Sequence, residues 1–296
     1  MSGTPPGVLI TGASGFAGSR LTAKFLSQGA RVVAVVRATS PLQQLESSAR
    51  HPAFVVKKLA SDYSNLAKIL SAGKIDIVIH TSATIEGGDD EAAVHRLEQS
   101  NILFPSLLLA AMKKQGVKNF INTGTSWQNA ASETYRPFNL YAATKQAFES
   151  ILAHYVEDGL NAITLRLFDT YGPNDPRPKL LSLLKRSVGE PTDFSPGEQE
   201  VDLVHIDDVC RAYAAAAELL LAGRVSGHEI FTVSGGKPMT LRELVALFER
   251  TNNVKCRINW GARAYRAREV MKPTYAFRAV PGWQPAVSLQ DGLHGL

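Results

Sequence analysis

The chain is 296 residues long, 45% apolar and 20% charged, a balance that supplies a core and excludes a disordered chain. With 23 glycines, 15 prolines and two cysteines it is neither collagen-like nor a disulfide scaffold. Its formal net charge of +5 comes from scattered bases; a nucleic-acid surface needs a basic stripe, so an anionic small molecule fits the excess better.

Cys210 and Cys256 show neither CxxC spacing nor a His-rich neighbourhood, which argues against a metal site and for a reducing, cytoplasmic compartment. No run reaches the ~18 uninterrupted apolar residues of a membrane span. The apolar stretch 213–222 is broken by Glu218 and reads as a buried helix. Residues 1–6 lead straight into an apolar strand without the pattern of a signal peptide.

In chain order the patterning predicts a strand at 8–10, a helix at 16–28, and strands at 31–36 and 54–59. A short helix at 65–71 and a strand at 75–80 follow. Helical periodicity runs from 91 to 115, then come a strand at 119–123, a helix at 140–158 and a strand at 162–168. Strands alternating with helices, too far apart for hairpins, give an α/β fold with a doubly wound parallel sheet. After Phe168 the texture changes, with three prolines in 171–179 and two more in 190–200. Strand-like patterning returns at 201–206 and 229–233, and a helix at 241–250 precedes a basic tail. The expected division is a dinucleotide-binding domain over 1–170, with 201–234 returning to it. A smaller C-terminal substrate lobe is built from 171–200 and 235–296.

Thr11-Gly12-Ala13-Ser14-Gly15-Phe16-Ala17-Gly18 sets three glycines between the first strand and helix. Gly12 permits a tight turn, Gly15 lets the backbone approach a pyrophosphate, and Gly18 lets the helix pack on the sheet. The helix N-terminus offers free N–H groups to phosphate. Ser14 and Phe16 belong to the same loop. Strand, glycine loop, helix and second strand lie where a dinucleotide-binding βαβ unit needs them. An NAD site carries Asp or Glu at the end of the second strand, but none occurs between Arg31 and Gln44. Arg37 offers instead a cationic fork suited to a 2′-phosphate, so NADP(H) is preferred over NAD(H). Asp62 either accepts from the adenine amine or caps the following helix. His80, Thr81 and Ser82 close the fourth strand where the cofactor would lie.

Tyr141 and Lys145, four residues apart at the start of a helix, share one face. A free phenol has a pKa of about 10 and is a poor acid–base group at neutral pH, and a nearby ammonium brings it closer to the working range. The preceding strand runs into Gly124-Thr125-Ser126, whose hydroxyls can reach the same point. Glycine loop, hydroxyl after the fifth strand, and YxxxK together resemble the extended short-chain dehydrogenase/reductases, the NAD-dependent epimerase/dehydratase family. The resemblance covers nearly the whole chain. Tyr171-Gly172-Pro173 is similar to that family's YGP element, Val204-His205-Ile206-Asp207-Asp208-Val209 to its VHVDDV segment, and Gly282-Trp283-Gln284-Pro285 to its LGWxP.

The resemblance implies a Rossmann domain, a nicotinamide cofactor, a nucleotide-sugar substrate and a homodimer through the helices around Asn101 and Phe148. It also implies roles. Tyr141 would exchange the proton, Lys145 would lower its pKa and hold the nicotinamide ribose, and Thr125 would bond the substrate carbonyl, with Ser126 taking that place if the register slips by one. Family dehydratases follow the catalytic Thr with Asp-Glu; here Ser126-Trp127 stands there. The stretches around Thr125 and Tyr141 look most like reductases that make CDP-3,6-dideoxyhexoses from 4-keto precursors. The alternatives are an epimerase that retains NAD and a non-catalytic NADP(H) sensor. One departure concerns the substrate: members often carry Arg where this chain has Val201. Arg263, Arg266 or Arg268 would then supply that charge, and a smaller carbonyl substrate stays open. Thr170, Tyr171, Asn174, Lys179 and Phe194 are further candidate substrate contacts.

Overall fold

Val8, Leu9 and Ile10 are fully buried in β1 (Gly7–Thr11), and α1 (Phe16–Ser27) follows the glycine turn directly. The computed structural model describes residues 5–296; residues 1–4, on which part of the no-leader expectation rests, lie outside the described residues. Then come β2 (Arg31–Arg37), β3 (Phe54–Leu59), α2 (Leu66–Ser71), β4 (Ile77–His80), α3 (Glu91–Glu98), α4 (Phe104–Gln115), β5 (Asn119–Thr125), α5 (Leu140–Glu157) and β6 (Asn161–Leu167). The second half adds β7 (Asp169–Tyr171), α6 (Leu180–Gly189), β8 (Thr192–Phe194), β9 (Glu200–Val201), β10 (Leu203–His205), α7 (Ile206–Leu221), β11 (His228–Val233), β12 (Met239–Thr240), α8 (Leu241–Asn252), β13 (Ile258–Trp260) and α9 (Leu289–Leu293).

Seven strands form one parallel sheet in the order β11-β6-β5-β4-β1-β2-β3. This is the Rossmann-type doubly wound α/β arrangement expected from the alternation of strands and helices. Side-chain direction alternates along each strand. Val8, Ile10, Ile77, Ile79 and Ile121 therefore meet Leu21 and Phe25 of α1 and Val209, Tyr213 and Ala217 of α7 on one face. Leu9, Val78, Phe120 and Ala162 meet Ile69, Leu108, Met112, Phe148 and Leu152 on the other. Sheets covered on both faces read as near-continuous apolar runs, which is why these strands were visible in sequence. Strand order reverses between β1 and β4, and ligands of such sheets lie outside the carboxyl ends at that crevice.

Residues 91–115 do not form one helix. Between α3 and α4 the segment Gln99–Leu103 widens into a π-helical turn. The turn brings Asn101 fully inside, where it bonds both backbone groups of Thr84. Pro105 follows in the first turn of α4, where its missing N–H does little harm. The proline-rich region after Phe168 also holds more order than expected. Leu181 and Leu184 of α6 bury one stripe against Phe194, Leu244 and Phe248 in a third apolar cluster. Three two-stranded ladders brace this part, β7 with β10, β8 with β13, and β9 with β12.

Candidate active site

Gly12 sits at φ 68°, and a Cβ there would lie 2.7 Å from the Ser82 nitrogen, so the loop fits against the end of β4 only as glycine. Gly15 is the N-cap of α1 and carries no side-chain cap, and the first turn holds no acid. The N–H groups of that turn therefore remain open to an anion. A Cβ on Gly18 would meet the Gly12 carbonyl and the Ala13 Cα, so the helix packs this closely only without a side chain. Thr81 donates its hydroxyl to the Thr11 carbonyl at 2.7 Å, fixing the crevice between β1 and β4. Arg37 stands exposed at the carboxyl end of β2. These features form a cradle shaped for a dinucleotide.

On the same edge, β5 ends at Thr125, whose Oγ1 accepts the Trp127 N–H at 3.3 Å. That leaves the Thr125 O–H free to donate outward. The Trp127 indole in turn packs edge-on against Tyr141, ring centroids 6.3 Å apart. Asn139 caps α5 through the Ala142 N–H at 3.0 Å and so sets the start of the helix that carries Tyr141 and Lys145. Both side chains are buried. Burial pushes the Tyr141 phenol up to about 12, with the Arg177 guanidinium pulling it back. Lys145 is brought down to about 8 by burial, with Glu149 opposing and Arg166 adding to the shift. Its Nζ has no hydrogen-bond partner. An orphaned ammonium beside the strand ends is what a nicotinamide ribose hydroxyl would satisfy. The expected depression of the phenol by Lys145 is not what dominates here: at neutral pH Tyr141 is protonated, the form a proton donor needs.

Beyond Trp127 opens a cleft of about 430 Å3 lined by Thr170, Tyr171, Asp175, Arg177, Lys179 and Arg266, among others. Arg177 is gripped by Asp175 at 2.7 and 2.6 Å and lies over the Phe16 ring at 4.6 Å, joining this cleft to the glycine loop. Arg266 lies over Phe138 at 5.5 Å, and Lys179 sits 3.9 Å from Asp169.

The chain matches the NAD dependent epimerase/dehydratase family over residues 8–230. It belongs to that family. Among curated relatives, the CDP-abequose synthase of Salmonella muenchen is 27% identical over 97% of this chain and 95% of its own length. The dTDP-glucose 4,6-dehydratase of Streptomyces griseus is likewise 27% identical, over 97% of this chain and 91% of its own. Among solved structures, MoeE5 in complex with UDP-glucuronic acid and NAD superposes with a TM-score of 0.81 at 25% identity, covering 97% of this chain and 96% of that one. This family member is thus an enzyme of nicotinamide-dependent CH–OH and C=O chemistry, as the motifs implied. Among its described residues no helix is long and apolar enough to cross a membrane.

Several residues singled out in sequence land elsewhere. The His80 ring is turned into the core among Phe104, Phe120 and Phe148, with Nδ1 bonded to Thr11 Oγ1 at 2.8 Å, so its side chain is not offered to the strand ends. Its position at the end of a buried strand made core packing compete with cofactor contact, and the three phenyl rings decide it. Asp62 accepts both the N–H and the hydroxyl of Ser64 through Oδ1, at 3.1 and 2.7 Å, closing a local turn ahead of α2; the helix is capped at Asn65, so Asp62 does not cap it. Phe194 packs on Trp260 in the third cluster. Asn174 is a turn residue at φ 59°, and Arg263 and Arg268 are exposed outside the cleft lining. Ser126 lines a smaller neighbouring cavity.

Conversely, Asn101 donates to Thr144 at 3.1 Å, and Thr144 donates to the Tyr141 carbonyl at 2.8 Å, buttressing α5. In sequence Gln128, Glu149 and Arg166 were given no role. Arg166 left a signal, a charge in the middle of the apolar strand 162–168.

Proposed function

We propose that this family member uses NADPH to reduce the 4-keto group of a nucleotide-activated deoxysugar, CDP-linked, to the alcohol. The observation that carries the reading is Arg37, exposed at the end of β2 with no acid between Arg31 and Gln44. A 2′-phosphate finds a guanidinium there, whereas a bare ribose finds no carboxylate. NADPH is consumed and exchanged by a net reductase.

The cofactor supplies the hydride when bound. Gly12, Ser14, Gly15, Phe16 and Gly18 would hold its diphosphate at the N-terminus of α1. Arg37 would hold the 2′-phosphate, the free Asp62 oxygen the adenine amine, Thr81 and Ser82 the crevice wall, and Lys145 the nicotinamide ribose. Thr125, its oxygen already accepting from Trp127, donates to the substrate carbonyl and polarises it. Tyr141, kept protonated by burial, delivers its proton to the developing alkoxide. Ser126-Trp127 supplies no acid pair, so elimination of water lacks its groups.

For the substrate, Thr170, Lys179 and Arg266 line the cleft beyond Trp127, and the two cations stand in for the arginine missing at Val201. The relatedness to a CDP-abequose synthase supports a CDP-linked sugar. A homodimer through α4 and α5 belongs to the same proposal, with Leu103 and Leu107 exposed on that side.

A second reading, a nucleotide-sugar epimerase that retains NAD, is supported by the NAD held in MoeE5. Paired titration with NADPH and NADH, then a panel of 4-keto nucleotide sugars followed by absorbance, separates the two. Exchangeable NADPH consumed on adding one sugar is the expected result. Firmly retained NAD with no net absorbance change establishes the epimerase.

A further inference from the structure

We propose that Glu149, Arg166 and Gln128 form a positioning network that holds Thr125 in place and fixes the charge of Lys145. The proposal rests on the reading of Thr125, Tyr141 and Lys145 as the catalytic set.

Tyr141, Lys145 and Glu149 recur at four-residue spacing, so α5 presents a phenol, an ammonium and a carboxylate along one face. Opposite that face lie the ends of β5 and β6. Arg166 of β6 donates to Glu149 Oε2 at 2.7 Å. Gln128, in the turn after β5, donates to Glu149 Oε1 at 2.9 Å and to Gln146 Oε1 at 3.0 Å. Its own carbonyl oxygen accepts the Thr125 N–H at 3.1 Å. One unbroken path of hydrogen bonds therefore runs from the Arg166 guanidinium through Glu149 and Gln128 to the backbone of Thr125. Gly124 makes the path fit, because a Cβ there would come within 3.0 Å of Arg166 Cδ and 3.1 Å of Gln128 Oε1.

The network is dry. Gln128 is 0% exposed, Lys145 1%, and Glu149 and Arg166 4% each. A buried ion pair adds little stability over a well-packed apolar pair, so stability alone gives no reason for these charges. Their placement gives one. The titratable groups around Lys145 are Tyr141 and Glu149 on α5, His80 on β4 and Arg166 on β6. Tyr135 and His228 of β11 face Arg166 in turn. Burial holds both histidines neutral and keeps both phenols protonated. Among the described residues of this layer, Glu149 and Arg166 are then the groups that act on Lys145, one favouring its ammonium and the other opposing it; burial pushes the Glu149 carboxyl up, and Arg166 and Lys145 pull it back down.

The test follows the Lys145 ammonium directly, in whole cofactor-free protein carrying 13C-labelled lysine, its resonance assigned with Lys145→Arg. Glu149→Gln should lower the titration midpoint of Lys145 by about one unit or more, and Arg166→Met should raise it by a similar amount. Opposite shifts are the signature, since a role in stability alone moves neither. Midpoints unchanged in both variants, or displaced in the same direction, overturn the charge assignment. Gln128→Leu leaves no charge unpaired and decides the Thr125 arm even if a charge variant fails to fold. It should cut kcat on a CDP-4-keto-3,6-dideoxyhexose about tenfold at unchanged KM, since a misplaced catalytic hydroxyl costs rate rather than binding. Unchanged kcat overturns the Thr125 arm. Tyr141→Phe runs alongside: full activity in that variant sinks the catalytic reading, while the Lys145 midpoints report on the network regardless.

Discussion

The Trp283 indole N–H donates to the Asp208 backbone carbonyl at 3.0 Å. The Asp208 carboxylate completes the clasp, accepting the N–H groups of Ala286 and Val287 at 3.1 Å each. Two motifs far apart in sequence, Val204–Val209 and Gly282–Pro285, are therefore halves of one joint that fastens the C-terminal segment to α7. An amide at 208 keeps one accepting oxygen and loses the charge. Asp208→Asn should cost about 1.5–3 kcal/mol, read as a lower midpoint in denaturant unfolding. An unchanged midpoint would show that the joint is not under load.

Removing the phenolic proton of Tyr141 tests the chemistry most directly. Tyr141→Phe should reduce turnover by about 10²–10⁴-fold, the usual worth of a positioned general acid, with NADPH affinity nearly unchanged. Stopped-flow turnover and equilibrium cofactor titration give the two numbers, and wild-type turnover would reject the assignment.

In the proposed NADPH site Arg37 carries the cofactor preference. Arg37→Ala should weaken NADPH binding about 10- to 100-fold, the worth of lost charge-assisted hydrogen bonds, and leave NADH binding where it was. Equal losses for the two cofactors would refute a 2′-phosphate contact.

Lys145 predicts a pH dependence whose sign follows from burial. Its folded value is lowered to about 8 from 10.5, so the ammonium is present below about pH 8 and lost above it. Reduction should fall as pH rises through that value. Stability moves the other way: between pH 8 and 10.5 the unfolded chain binds more protons at this site, and its contribution to folding stability rises with pH. Comparing wild type with Lys145→Met for unfolding midpoint across pH 7–10 isolates the effect. A constant difference between the two across that range would contradict the assignment.

The sheet was legible because β1 and β4 are apolar on both faces, and the glycine turn because Gly12 and Gly18 stand where no Cβ fits. The YxxxK face was legible because helical spacing alone places Tyr141 with Lys145. The π-helical turn at Asn101 was not, since periodicity over 91–115 reports a buried face without reporting five-residue spacing. Gln128, Glu149 and Arg166 come from a turn, a helix and a strand, and their bonds exist only once β5, α5 and β6 lie side by side. The His80 ring went unplaced for the same reason: the three phenylalanines around it come from α4, β5 and α5.

β6 finishes at Leu167 and its neighbour β11 begins at His228, with α6, α7 and four of the six short ladder strands complete in between. During synthesis, six strands can emerge and align before the seventh exists. Throughout that interval β6 is an open edge, offering unpaired N–H and C=O groups to any other nascent chain. A product cut short ahead of residue 228 keeps that edge permanently. Truncations meant to isolate the nucleotide-binding half should therefore extend through Val233, or they will yield a sheet that seeks its missing strand in another molecule.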